Sequence, residues 1–314
     1  MSNMKKINNG ILIVMLSIFN LVLSAQSEKS VVITIDDVPQ TNSSRSNLLS
    51  VLDSLQIPVS IFINENRVYS GGKVDSVKLL LLEDWLSKEY VSPGNHSFNH
   101  PRYSAIGVDS FSAEVIKGEL LTRNLSLKYD KDLNEFRFPF NDLGKDSLQQ
   151  IRIRNFLEDN GYNITPFTVE SSDWMFNYLY ATYLSQGDLE NAQRIGDRYV
   201  NYTIRMFEFF EELVDEEYNR DIPHIYLCHD NRINSDYLAA IITRLSSLNY
   251  DFISLEEVLR DSVYDQKEYY HLKYGISWIY RWMEDNKLRK EYMRKEPDLM
   301  DIYKEYENMR TKIK

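Results

Sequence analysis

Two carboxylates side by side at the end of an apolar run, Asp36 and Asp37 in "VVITIDDVP", repel one another unless a positive group sits beside them. Alone, Asp-Asp before a proline is the composition of a turn or a helix cap. A partner for the charge appears in "GNHSFNHP", where His96 and His100 are four residues apart. That spacing presents both imidazoles on one side of a helical turn or compact loop, suited to gripping one metal ion. The chain has five histidines, and two of them fall in this short segment bounded by glycine and proline. Two imidazoles and one carboxylate leave coordination positions open on zinc, the pattern of a catalytic rather than a structural site.

Three further segments carry polar groups after apolar runs: Arg137 in "RFPF", Asp173 and Trp174 in "SSDWMF", and His229 followed by Asp230 in "IYLCHD". Arg137 reads either as a solvated charge or as the group that holds a buried Asp36 ionised, with Asp173 fixing the arginine. His229 is either a satisfied structural histidine or a general acid, with Leu227, two residues earlier on the same strand face, as an apolar wall. By composition alone Trp174 belongs to the core, Cys228 points to the opposite face from His229, and His224 and His271 receive no role. A Gly-x-Ser-x-Gly elbow, a phosphate-cradling glycine loop and a dinucleotide fingerprint are all missing from the sequence.

The elements that must position these groups are short apolar runs alternating with amphipathic stretches. Strands are expected at "VVITI" (31), "PVSIFI" (58), near "YVSPG" (90), "EFRFP" (135), "ITPFTV" (164), "HIYLC" (224) and "DFISL" (251). Between them, Leu238, Ile241, Ile242, Leu245 and Leu248 recur at helical spacing, and Ser254 with Glu257 forms a capping box. Seven strands with intervening helices point to a parallel β/α barrel or a doubly wound sheet. In either, the carboxyl ends of the strands face one cleft, and the polar segments above sit at those ends. The span from "SSDWMF" to "IPHIYLCHD" reads as an enlarged crossover with an extra helix or two. After about Arg260 the pattern becomes a charged helical tail, residues 261–314, with Trp278, Ile279, Trp282 and Met283 packing back.

A hydrophobic content of 43% suffices for a sizeable core. Residues 1–25 read as a secretory signal peptide: Lys5 and Lys6, then "ILIVMLSIFNLVL", then small residues suited to cleavage after Ala25. Removing them takes two lysines from the net charge of −11 and leaves −13. That balance argues against nucleic acid or an anionic membrane surface as the main partner, and the short apolar run argues against a retained span. Export to a periplasm or the medium follows. Cys228 is the only cysteine, so an intramolecular disulfide and a thiolate zinc cluster are both excluded.

Taken in order, "TIDDVP", "HSFNHP", "RFPF", "SSDWMF" and "LCHD" resemble the five motifs of the polysaccharide deacetylase family, the NodB-homology group related to carbohydrate esterase family 4. The likeness covers roughly Val31 to Arg260. It implies an α/β fold, a distorted (β/α)7 barrel, in a catalytic domain of residues 26–260 followed by the helical extension. It further implies metal-dependent removal of acetyl groups from an N- or O-acetylated carbohydrate. By the family's pattern Asp36 is the catalytic base, His229 the catalytic acid, and Asp37, His96 and His100 ligands of one divalent metal, zinc first, with Co2+, Ni2+ or Mn2+ as substitutes. Arg137 and Asp173 would tune and orient the base. Trp174 and Leu227 would line the acyl pocket, and a backbone N–H near Phe140 would help bind the oxyanion. Val38 stands where the family usually has glycine, and Phe140-Asn141 where Tyr-Gly is common, which changes the groove wall without removing a catalytic side chain. Two other readings keep the same residues: a hydrolase of C–N bonds in small amides or cyclic imides, and an inactive carbohydrate-binding relative.

Overall fold

A computed structural model describes residues 29–41 and 47–312. The expected signal peptide lies outside these residues. Ten strands are present among them: β1 Lys29–Val38, β2 Val59–Ile63, β3 Tyr69–Ser70, β4 Lys73–Val74, β5 Val91–Asn95, β6 Glu135–Phe136, β7 Asn163–Ile164, β8 Val169–Glu170, β9 His224–His229 and β10 Tyr250–Phe252. Eight of them form one curled, wholly parallel sheet in the order β7-β6-β5-β2-β1-β9-β8, with β10 beside the start of β1. This is the distorted (β/α) barrel. The central strand β1 is covered on both faces, which is why its sequence is continuously apolar from Val31 to Ile35 apart from Thr34.

The expected single strand at 164 is two, β7 and β8, at opposite edges of the sheet. Pro166 has no N–H to give a ladder, and residues 165–168 instead cross the gap between the two edges. A strap from the C-terminal region covers this crossing. The Trp278 N–H donates to the Phe167 carbonyl at 2.9 Å, the Ser277 hydroxyl donates to that of Thr168 at 2.7 Å, and the Phe167 and Trp278 rings meet edge-on at 5.6 Å. Trp278, Ile279, Trp282 and Met283 are buried. The tail is helical over Trp278–Trp282, Asn286–Lys295 and Met300–Lys312, whereas residues 266–277 form no helix.

The enlarged crossover is two helices, Asp173–Gln186 and the 30-residue Leu189–Tyr218. The latter packs on Arg232–Ser247, where Gly196 lets the helices approach: a Cβ there would fall 1.9 Å from the Tyr237 ring. The Ser254–Glu257 capping box forms as the sequence indicates. The β3–β4 hairpin was not foreseen, although its turn pair, Gly71 and Gly72, takes the positive φ that tight hairpin turns require.

Candidate active site

Register brings the polar segments together. Asp36 and His229 are cross-strand partners of β1 and β9, while Ile63 pairs with Asn95 and Asn95 with Phe136, so His96 and Arg137 emerge side by side from neighbouring strand ends. Successive side chains of a regular strand point to opposite faces, which would separate Asp36 from Asp37. A register shift solves this. Between Ile35 and Val38, β1 carries one more residue than β2 opposite it, and Asp37 takes a left-handed φ of 69°. The bulge lets both carboxylates enter one cleft of about 750 Å3 that also holds His96, His100, Phe140, Trp174, Leu227 and His229.

Left-handed backbone recurs around this cleft at Ser97, His100, Phe140, Asn141 and Ser172, at roughly 1–2 kcal/mol each for residues other than glycine and asparagine. Side-chain hydrogen bonds hold these turns. The Asn95 carboxamide oxygen accepts from the Ser97 N–H at 2.8 Å, and the Asn64 amide donates to the His96 carbonyl at 2.6 Å. Asn141 stands where glycine is common in the motif it resembles and takes a left-handed φ of 48°, a conformation asparagine tolerates better than most residues. Gly275 of the strap presses on this turn, since a Cβ would lie 2.4 Å from the Phe140 carbonyl oxygen.

Asp36 is buried and gripped on one side only. Arg137, fully buried, donates from Nη1 to Asp36 Oδ1 at 3.0 Å and to the Thr34 hydroxyl at 2.6 Å, and from Nη2 to the Pro166 carbonyl at 2.9 Å. Asp36 Oδ2 faces His96 Nε2 at 3.7 Å. Asp37 pairs with Arg67 at 3.0 Å, and its Oδ1 lies 3.6 Å from His100 Nε2. Burial would raise the Asp37 pKa, but Arg67 and the surrounding imidazoles outweigh it and bring it to about 2.

Burial lowers the pKa of both ligand-candidate histidines, with His100 brought to about 4, so both are neutral near pH 7. His96 Nδ1 lies 2.7 Å from the Arg137 carbonyl and must donate to it, which leaves a lone pair on Nε2. Asp37 Oδ1 is buried with no hydrogen-bond donor. Ligand atoms of Asp37, His96 and His100 lie within 4.8 Å of one another, with free lone pairs on Asp37 Oδ1 and His96 Nε2. A divalent cation fits that donor set.

His229 is held differently from Asp36. Its Nδ1 lies 2.7 Å from Asp173 Oδ1, and its backbone N–H donates to Asp173 Oδ2 at 2.8 Å. Asn231 and Asn234 complete the grip on that oxygen at 2.9 and 2.6 Å. The assignment of Asp173 to Arg137 is therefore corrected: Asp173 follows β8, which pairs with β9, and so reaches His229 instead. Burial opposes charge on His229, but the Asp173 carboxylate dominates and its pKa is pushed up to about 10.

Trp174 is not core. It is 49% exposed, edge-on to Tyr306 at 5.4 Å, on the cleft wall. Leu227 and Cys228 are buried, with only Leu227 lining the cleft. Phe140 is exposed at the mouth, its ring 4.5 Å from that of His100. His224 bonds Thr168, and His271 bonds Gln150, away from the cleft. Sequence reasoning missed Arg67, Asn231 and Asn234, and gave no role to Asp230, whose carboxylate accepts from the Gln40 and Thr41 N–H groups and anchors the turn after β1. The Asn231-to-Asn234 spacing after "CHD" was the available signal for a capped turn there.

Residues 24–167 match the family described as polysaccharide deacetylase. Among curated protein sequences none matches significantly. Similar solved structures include a wild-type CE4 family pseudoenzyme from Bacillus anthracis, 17% identical over 74% of this chain and 66% of that one, with a TM-score of 0.52. A mutant of that pseudoenzyme with restored enzymatic activity is 18% identical over 74% and 68%, with a TM-score of 0.51. A polysaccharide deacetylase from Bacillus cereus is 17% identical over 72% and 91%, with a TM-score of 0.50. Residues 24–167 thus carry the match to the polysaccharide deacetylase family, and the curled parallel sheet is the fold of these similar structures.

Proposed function

We propose that the protein is an exported, metal-dependent hydrolase that removes acetyl groups from an N- or O-acetylated carbohydrate. The observation that carries this reading is the convergence of Asp36 and His229, cross-strand neighbours, with the Asp37, His96 and His100 cluster in one cleft. The fold likeness extends to a pseudoenzyme, so the fold by itself does not carry activity; the intact residue set does.

Asp37, His96 and His100 would hold one divalent ion, zinc first. Such an ion supplies Lewis acidity toward the acyl carbonyl and the attacking water. Asp36 is the base. Arg137 occupies its Oδ1 and fixes the carboxylate in orientation, leaving Oδ2 to take the proton of water. His229 is the acid. Asp173 on Nδ1 holds the imidazolium so that Nε2 is the proton-bearing atom for the departing amine or alcohol. An amine anion is a very poor leaving group, so an amide needs this proton more than an ester does. Leu227 and Trp174 give the acyl methyl an apolar wall, and the Phe140 turn offers a backbone N–H for the oxyanion.

The test is acetate release across N- and O-acetylated glycans, with small amides and cyclic imides in parallel, with and without a chelator. Chelator-sensitive acetate release from a glycan supports the proposal. Full activity in metal-free protein, or turnover of the amides and imides alone, contradicts it. Sugar binding without turnover under any divalent metal would make the protein an inactive binding relative.

A further inference from the structure

The Asn234 carboxamide, fully buried in the first turn of helix Arg232–Ser247, has a partner for each of its polar atoms. Its Nδ2 donates to Asp173 Oδ2 at 2.6 Å and to the His229 carbonyl at 2.8 Å, and its Oδ1 faces the Tyr199 hydroxyl at 2.6 Å. Turning the amide over would set its oxygen against a carboxylate and a carbonyl, so the orientation is fixed by its partners. Tyr199 must therefore donate to Asn234 Oδ1. The Tyr199 hydroxyl lies 3.0 Å from that of Tyr226, which lies 2.8 Å from that of Ser171. With the Tyr199 proton committed to Asn234, Tyr226 must donate to Tyr199, and Ser171 to Tyr226. The chain from Ser171 through Tyr226, Tyr199 and Asn234 thus runs with a single polarity and ends on the carboxylate that faces His229 Nδ1.

Every member is buried, Tyr199 and Tyr226 completely. Burial pushes both phenols well above their ordinary pKa, so the protons that the chain needs stay in place. Tyr199 comes from helix Leu189–Tyr218, the long helix of the enlarged crossover, which lies outside the residues 24–167 that carry the family match. Gly196, one turn earlier, lets this helix approach helix Arg232–Ser247, and the Tyr199 hydroxyl reaches Asn234 across the same interface. A helix that served only to cover the sheet would place an apolar side chain here, since a buried hydroxyl is costly unless each end of its hydrogen bonding is met.

We propose that Tyr199 is a positioning residue for the reaction: through Asn234 it fixes the Asp173 carboxylate and with it the His229 ring, while Tyr226 and Ser171 set the direction of its hydroxyl. This inference rests on the acid role given to His229 above, and its first readout does not involve turnover. The full chain, isotope-labelled at histidine and loaded with zinc, is compared as wild type, Tyr199→Phe, Tyr226→Phe and Ser171→Ala. Exchange of the His229 Nδ1 proton with water is followed by NMR, and Tm, kcat and KM on an N-acetylated glycan are measured on the same preparations.

Tyr199→Phe is expected to speed the proton exchange about tenfold and to lower kcat about tenfold, with KM changed by less than about twofold. Tyr226→Phe acts one link further away, so its effect on exchange and kcat is about threefold, and Ser171→Ala stays within about twofold. Each tyrosine hydroxyl makes two hydrogen bonds in the chain, so the two phenylalanine variants should lower Tm by similar amounts, and the graded exchange separates positioning from lost stability. Wild-type exchange of the His229 proton in Tyr199→Phe overturns the proposal, as does exchange that follows Tm rather than place in the chain. If exchange is graded along the chain but wild-type protein releases no acetate, the positioning stands and the hydrolase reading falls.

Discussion

Asp173→Asn separates the role of the Asp173 carboxylate from its volume. In the native site this carboxylate faces His229 Nδ1 at 2.7 Å and accepts three further N–H groups, from the His229 backbone and the Asn231 and Asn234 side chains. Its charge is what pushes His229 up to about 10 against the opposing effect of burial. Neutral asparagine keeps the shape and removes that effect, so the His229 pKa falls to about 6.5 or below. At pH 8 the protonated fraction then drops from about 99% to about 3%, roughly a thirtyfold loss of the acid form. The assay is histidine NMR titration of chelator-treated protein, paired with the pH dependence of kcat/KM for the metal-loaded enzyme. The variant is expected to lose about thirtyfold or more on an N-acetyl substrate at pH 8, to lose less on an acetyl ester of an acidic alcohol, and to show its alkaline limb at lower pH. A variant in which His229 still titrates near 10, or whose amide and ester losses are equal with an unmoved limb, refutes the reasoning.

Two further perturbations follow from the packing. Burial, opposed by the hydrogen bond from Tyr280, raises Glu296 to about 7 from an ordinary value near 4.5, so the folded state binds the proton more tightly than the unfolded chain. Its contribution to stability is complete below about pH 4.5 and is lost as pH rises through about 7, a change of about 3 kcal/mol, which Glu296→Gln should flatten in melting curves taken across that window. Trp278→Ala removes a buried ring from over the crossing between the sheet edges and should lower stability by about 3–5 kcal/mol in urea unfolding, with an unchanged denaturant slope; a loss below about 1 kcal/mol would show that the strap is not needed there.

The catalytic-type side chains were legible because each lies at the carboxyl end of an apolar run, where a parallel sheet must expose it. Their pairing was less so. Asp173 belongs with His229 because β8 is a separate strand next to β9, and the sequence "ITPFTV" reads as one strand unless Pro166 is given its full weight as a break. The bulge at Asp36-Asp37 is a backbone event that apolar alternation does not reveal, although adjacent carboxylates needing one cleft require it. Tyr306 and Arg310 were out of reach for a different reason. Their place on the cleft wall depends on where the last helix docks, a contact spanning more than 120 residues of chain that no local pattern encodes. Arg67 pairs with Asp37 only because the turn after β2 passes the cleft.

The most direct measurement is metal content and acetate release on the same preparations of wild-type protein, His96→Ala and His100→Ala. Wild-type protein should retain close to one zinc-like ion per chain and release acetate from an acetylated glycan, with both properties lost together in each variant and activity restored to stripped wild-type protein by the divalent ion alone. Undiminished acetate release by chelated wild-type protein, or by either alanine variant, would contradict the account.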